Sequence, residues 1–300
     1  MIKQHLLGLR KIFTYAPFEN VMLLMLKGSD YRGTAAKLIP PPDMYKAGSI
    51  KHVVRDGIRY ELDRSCLMQW YIYWGLTDIT RPKLYSFVNK GDIVLDLGTN
   101  VGETLLNFAK LVGEDGFVYG FEPDEINFAN VQKNIELNEF ENIHVFNFGI
   151  SDTRETLKLY RVDPHNLGMN RILSDTEAAG FDDFTTIETR TLDDVVAENG
   201  MFRVDVIKID IEGYEMHALR GSHNVLKKFK PRLFIEVGYT RMIKNGTSPN
   251  EVIELLNGLG YTVYHADSDE IIDPSYDFSP LGDGGIDVYA LPEKTKLTHA

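Results

Sequence analysis

The sequence predicts an α/β fold: a mostly parallel sheet of seven strands with helices on both faces. Three observations carry it. From Gly91 onward, short and almost wholly apolar runs alternate with helical patterns, as strands buried on both faces must. The first run ends in a glycine turn, Asp96-Leu97-Gly98-Thr99-Asn100-Val101-Gly102, that leads into a helical pattern at 104–109, an arrangement through which backbone approaches a nucleoside. The last two runs, 261–265 and 286–290, alternate as an antiparallel pair joined by the loop 267–284.

Taken in order, the elements divide the chain into an N-terminal basic arm (1–50), a cap (51–90), a nucleoside-binding domain (91–292) and a tail (293–300). The arm has a mixed helical pattern and closes on Ile39-Pro40-Pro41-Pro42-Asp43, a stiff break. The cap starts with a hairpin over 51–62, turning at Asp56-Gly57, and continues with helices at 66–74 and 83–88. Buried strands are expected at 92–97, 117–122, 143–148, 204–210 and 232–237. Between the third and fourth, alternation at 156–161 and 186–190 marks an insertion with extra strands beside the pocket. The segment 251–256 reads as an amphipathic core helix, and no internal repeat interrupts the pattern.

Composition limits the function classes. A chain of 300 residues, 43% hydrophobic, can form one large core, or a core of about 200 residues with an extension. No apolar run reaches the ~20 residues of a membrane span, and the apolar stretch 18–26 lacks the flanking cleavage pattern of a signal peptide. Cys66 is the single cysteine, so no internal disulfide forms, which fits a reducing compartment and places the chain in the cytoplasm. Residues 1–90 hold 14 Lys and Arg against 7 Asp and Glu, and the remainder 18 against 37. The basic part suits an anionic substrate or peripheral contact with a membrane surface, while the acidic body argues against nucleic acid. Oligomeric state is left open.

The glycine spacing narrows the ligand. A dinucleotide loop wants G-x-G-x-x-G, whereas here Gly98 and Gly102 flank Asn100 at the second glycine's place. Asp96 ahead of the turn would repel a pyrophosphate but suits the amine and sulfonium of S-adenosylmethionine over NAD. Glu122-Pro123, after the second strand, puts a carboxylate where ribose hydroxyls would lie. Further acids stand at other strand ends: Asp152 after Ser151, Asp210 and Glu212, and Glu236. Lys208, Asp210 and Glu212 alternate with isoleucines, so an extended strand points all three to one side, with Lys208 paired to a neighbouring acid. Asp210 and Glu212 are the leading candidates for a catalytic base, with Glu236 third. His165 and His217 read more simply as surface or packing residues, the aromatic run 70–74 as cap packing, and Cys66 as a small buried hydrophobe.

These motifs occur in a recognisable order: Asp96-x-Gly98-x-Asn100-x-Gly102 with Thr104, Phe121-Glu122-Pro123, Asn134 with Asn138, Thr191-Leu192-Asp193, the run 208–215 with Gly221, and Phe234-Ile235-Glu236. Together, over residues 50–265, the chain resembles the FkbM family of S-adenosylmethionine-dependent methyltransferases. The resemblance implies a Rossmann-like class I methyltransferase fold and O-methylation of a hydroxyl on a small molecule, glycan or lipid-linked sugar. It also implies that Asp96, Gly98, Asn100 and Gly102 hold the methionine end, Glu122 the ribose, and Ile150 with Ser151 the adenine edge, with Thr104 and Pro123 among the cofactor-binding positions. Thr99 departs from the family's usual alanine, and Thr77-Asp78 from its aromatic-Glu pair. Three alternatives stand beside this reading: an N-methyltransferase, a metal-assisted O-methyltransferase using Asp210 and Glu236, and a non-catalytic nucleoside-binding module. No metal ligand is assigned, because Val237-Gly238-Tyr239 follows Glu236 in place of the Asp-Asn pair such sites use.

Overall fold

The computed structural model describes residues 10, 12–14, 16–30, 33–34, 37 and 39–293. Part of the expected N-terminal arm, and the tail beyond Glu293, lie outside the described residues. Numbered along the chain, β1 (Ser29–Asp30) pairs with β4 (Leu76–Thr77), and β2 (Ile50–Arg55) with β3 (Ile58–Asp63) as the expected hairpin. The central sheet holds β5 (Ile93–Leu97), β6 (Phe117–Phe121), β7 (Ile143–Phe146), β12 (Val206–Ile209), β13 (Arg232–Gly238), β14 (Tyr261–His265) and β15 (Gly285–Pro292). Their order is β14-β15-β13-β12-β5-β6-β7, with β15 alone antiparallel to its neighbours. The sheet runs outward from β5 through β6 to β7 on one side, and from β12 through β13 to β15 and β14 on the other. The crevice between β5 and β12 is therefore the topological switch point, where open α/β sheets bind ligands.

Three central strands end earlier than the sequence predicts, the second in chain order by one residue, at Phe121. The third leaves the sheet at Asn147, whose side-chain amide donates to the Glu122 carbonyl at 2.9 Å. The chain then enters β8 (Gly149–Ile150), in a second sheet with β9 (Thr156–Tyr160), β10 (Arg171–Ile172) and β11 (Phe184–Arg190) in the order β10-β9-β11-β8. These are the extra strands expected of the insertion. The fourth strand stops at Ile209, and Glu212 and Gly213 follow in left-handed backbone, at φ 55° and 106°. The alternation of Lys208, Asp210 and Glu212 thus breaks after Asp210, and Glu212 sits in a turn.

Apolar packing explains the layers. Val206, Ile207 and Ile209 are buried in β12, as are Leu95 and Leu97 in β5. One core joins these strands to helices Leu192–Glu198, Glu215–Arg220 and Pro249–Gly258, and another, on Val94, Val118 and Phe234, packs against helix Glu103–Val112. A third core lies in the cap, where Trp70 and Trp74 of helix Leu67–Trp74 meet Leu62, Met22, Leu26 and Ile39, with Val101 and Leu106 contributed from beneath. The proline segment is part of this core: Trp70 Nε1 donates to the Pro40 carbonyl at 2.7 Å. Asn134 and Asn138 dock the hairpin, since their side-chain carbonyls accept from the backbone N–H of Glu61 and Arg59 at 2.8 and 2.9 Å. Among the described residues, no helix is long and apolar enough to cross a membrane.

Candidate active site

A cavity of about 410 Å³ opens at the carboxyl ends of β5, β6, β12 and β13, roofed by the cap helix and by the loop 166–170. Its floor is the glycine turn. Gly98 holds φ 84°, and a Cβ there would stand 2.0 Å from the Asp210 carbonyl oxygen, so only glycine lets the two loops touch. Asn100, also left-handed at φ 50°, turns its N–H to the Glu122 carboxylate at 2.7 Å. Glu122 accepts in addition from the Asp124 N–H at 3.1 Å. Burial nevertheless pushes its carboxyl up to about 7, against the pull of those two N–H groups.

Several polar atoms on the wall are buried without any hydrogen-bond partner: Thr99 Oγ1, Asn100 Oδ1, Asn127 Oδ1, and both side-chain polar atoms of Asn170. Leaving such an atom unsatisfied costs ~1–3 kcal/mol. A cavity lined with several of them is built for a polar ligand. Asn127 is held there because Asp124 caps helix Glu125–Glu136, accepting from the N–H groups of Ile126 and Asn127 at 2.9 and 3.0 Å. Loop 166–170 closes the cavity by resting on its neighbours. The Leu67 N–H donates to the His165 carbonyl at 2.6 Å, and Asn127 Nδ2 donates to the Leu167 carbonyl at 3.2 Å.

The cofactor residues expected from the sequence divide into two groups. Gly98, Asn100, Thr104, Glu122, Pro123 and Ile150 line the cavity, whereas Asp96, Gly102 and Ser151 lie behind its wall. Asp96 is fully buried below the floor, 3.2 Å from Lys208 Nζ and 2.6 Å from the Thr104 hydroxyl that donates to it. Gly102 packs against Val131, and the Ser151 carbonyl lies where a Cβ of Gly221 would be. His165 serves the roof, and the His217 ring lies 3.1 Å from Asp152, outside the cavity.

The three candidate bases come together. Carboxylate oxygens of Asp210, Glu212 and Glu236 lie within 4.8 Å of one another at one end of the cavity. Their environments differ. Burial opposes charge on Asp210, but Lys208, 3.3 Å away, outweighs it together with a hydrogen bond from Glu236 and the charge of Arg81, and holds the carboxyl below its ordinary value. Burial drives Glu236 well above the carboxylate range, with the Asp210 charge adding to it and Arg241 opposing it. Glu212 is pushed up to about 7 by burial, opposed by Arg241. Asp287, on the same wall, is pushed up to about 6 by burial.

Arg241, which no motif in the sequence marks, joins this cluster. Its guanidinium lies 2.7 Å from Glu212 and 3.2 Å from Glu236. Glycines from three elements make room for it. A Cβ on Gly213 would meet Arg241 Cβ at 2.9 Å, one on Gly238 would meet Nε at 2.6 Å, and one on Gly285 would meet Nη2 at 2.8 Å. The acids have the make-up of a metal site, but the positive charge that holds Glu212 and Glu236 together is supplied by this arginine.

The known proteins that this chain resembles are methyltransferases. NoeI, a 2-O-methyltransferase of Sinorhizobium fredii, is 26% identical over 158 residues, which are 49% of this chain and 64% of that protein. AglP, a hexuronic acid methyltransferase of Haloferax volcanii, is 25% identical over 183 residues, 61% of this chain and 68% of that protein. The chain thus spans about two thirds of the length of each of these relatives. The solved structure of the methyltransferase FkbM of Methylobacillus flagellatus aligns over 68% of this chain and 44% of its own, at 20% identity and a TM-score of 0.41. The pattern of the methyltransferase FkbM domain matches residues 96–263, more than half of the chain, from the glycine turn through the Asp210 loop to β14. The chain belongs to the FkbM methyltransferase family.

Proposed function

We propose that the chain is an S-adenosylmethionine-dependent O-methyltransferase acting on a hydroxyl of a sugar, either a glycan or a lipid-linked saccharide. The observation that carries the reading is one cavity with two chemically distinct ends: unsatisfied buried amides and a hydroxyl over the glycine turn, and three converging carboxyls beside β12 and β13. The first end fits the polar edges of a nucleoside, with Glu122 retaining acceptor capacity for hydroxyls and Asn100, Asn127 and Thr99 supplying the remaining partners. S-adenosylmethionine, when bound, supplies an electrophilic methyl group. Leu67, Met68 and Tyr71 of the cap, with Leu167 and Met169 of the roof loop, exclude water from the acceptor.

An acceptor hydroxyl is a poor nucleophile while it holds its proton, and a positioned base adds roughly 10²–10⁴ in rate. Glu212 is the carboxylate suited to take that proton, because its value of about 7 lies near working pH. Asp210 is held ionised too firmly to be a strong base. A hydrogen bond from Glu236 keeps Asp210 in place. This division of labour favours a hydroxyl over a neutral amine, which needs no base. The names of NoeI and AglP point to sugar acceptors for those relatives, and a uronic acid or hexose is the first class to test here. Buried Cys66 accords with a reducing, cytoplasmic setting.

The test is methyl transfer by the full chain from label-bearing S-adenosylmethionine to uronic acids, neutral hexosides and amino sugars. The expected product is a methyl ether that survives mild acid. Label recovered on nitrogen, or on no sugar while cofactor is bound, would overturn the assignment.

A further inference from the structure

Helix Ala16–Leu26 packs on the cap by one face only. Met22 and Leu26 enter the cap core, and Glu19, its one acid, is turned inward onto Arg64 at 2.5 Å. The other face is apolar and open: Leu24 is 82% exposed, Met25 71%, Val21 54% and Phe18 53%. Phe18, Val21 and Met25 follow one another at i, i+3 and i+7, with Leu24 beside them, so they form one stripe. Cations stand at both ends. Lys27 follows the helix, paired at 3.1 Å with exposed Asp56, and Arg10 precedes it, donating to the carbonyl of exposed Lys37.

We infer that this face docks on a membrane surface with anionic headgroups, the helix lying in the interface with Phe18, Val21, Leu24 and Met25 toward the acyl chains. Charge separation carries the choice of partner. Residues 1–90 have a twofold excess of Lys and Arg, while the rest of the chain has a twofold excess of Asp and Glu. An anionic surface attracts the basic segment of the chain that contains the stripe and repels the acidic remainder. A second copy of the chain docked on the same stripe would bring two basic segments together. The helix has 11 residues, too few to span a bilayer but enough to lie on one.

The test is co-sedimentation of the full chain with vesicles of phosphatidylcholine alone or of phosphatidylcholine and phosphatidylglycerol in equal parts, at low and high salt. The wild type should pellet with the mixed vesicles at low salt and at least tenfold less with phosphatidylcholine. Leu24→Asp with Met25→Asp should lower vesicle binding at least tenfold while leaving the far-ultraviolet spectrum and S-adenosylmethionine affinity unchanged, since both side chains point outward. Equal partitioning of wild type and double variant would overturn the inference. So would a wild-type dimer that the double variant abolishes, which would assign the stripe to self-association.

Discussion

Replacing Lys208 by methionine tests how the two chemical loops are held together. The lysine is buried, its ammonium 3.2 Å from Asp96 and 3.3 Å from Asp210, and it donates to the Gly98 carbonyl at 3.1 Å. It is thus the only cation in contact with fully buried Asp96 among the described residues. Breaking a buried pair by removing one partner costs about 3–5 kcal/mol, because the other charge is left uncompensated. Asp210 keeps the hydrogen bond from Glu236 and the charge of Arg81, so nearly all of the loss is expected from Asp96. For a chain of this size the loss corresponds to a melting temperature lowered by roughly 5–8 °C, read by scanning calorimetry. Adding Asp96→Asn in the same chain removes the stranded charge and should recover part of it. A Lys208→Met variant that melts within a degree of wild type, or a double variant less stable than the single one, would refute the reasoning.

Other outcomes follow from the same geometry. With Glu212 as base, kcat should rise with pH through about 7 as the carboxyl ionises. Glu212→Gln should remove that limb and lower kcat by about 10²–10⁴ while cofactor affinity stays within a few fold. Arg241 opposes the upward shifts of Glu212 and Glu236, so in Arg241→Ala the rising limb of the pH–kcat profile should move to higher pH, an effect that a loss of packing alone would not produce. A Cβ on Gly168 would stand 2.7 Å from Met68 and 2.8 Å from Asn100 Nδ2, so Gly168→Val should lift the roof and weaken S-adenosylmethionine binding about tenfold, or ~1.4 kcal/mol by calorimetry. Glu122 binds its proton more tightly folded than unfolded, so its contribution to stability is full below its unfolded value of 4.5 and is lost as pH rises through about 7. Glu122→Gln should therefore gain on wild type in melting temperature between about pH 5 and about pH 8 when no ligand is present.

Much of the fold was legible because strands buried on both faces have to be almost wholly apolar. The runs at 93–97, 206–209 and 232–238 stand out for that reason, and the glycine turn after the first of them locates the ligand crevice. The hairpin was legible from Asp56-Gly57, both of which adopt positive φ. What stayed hidden depends on contacts distant in the chain. Nothing near Arg241 in sequence marks it, and the Gly213, Gly238 and Gly285 that accommodate it lie in three elements, each readable alone as an ordinary turn or strand end. Glu212 was placed on an extended strand because Ile209 and Ile211 continue the alternation. Gly213 was the available signal that the strand had ended. The unsatisfied atoms of Thr99, Asn127 and Asn170 are a property of burial, which spacing does not encode. Asp96 shows the converse: its place before the turn is plain in the sequence, but its pairing with Lys208 beneath the floor is not.

Calorimetric titration of the purified full chain with S-adenosylmethionine, and in parallel with NAD, tests the central claim most directly. The expected result is one saturable site for S-adenosylmethionine, weakened at least tenfold by Asn127→Leu, and no heat with NAD. Binding of NAD without the methyl donor, or S-adenosylmethionine affinity indifferent to Asn127, would contradict the account.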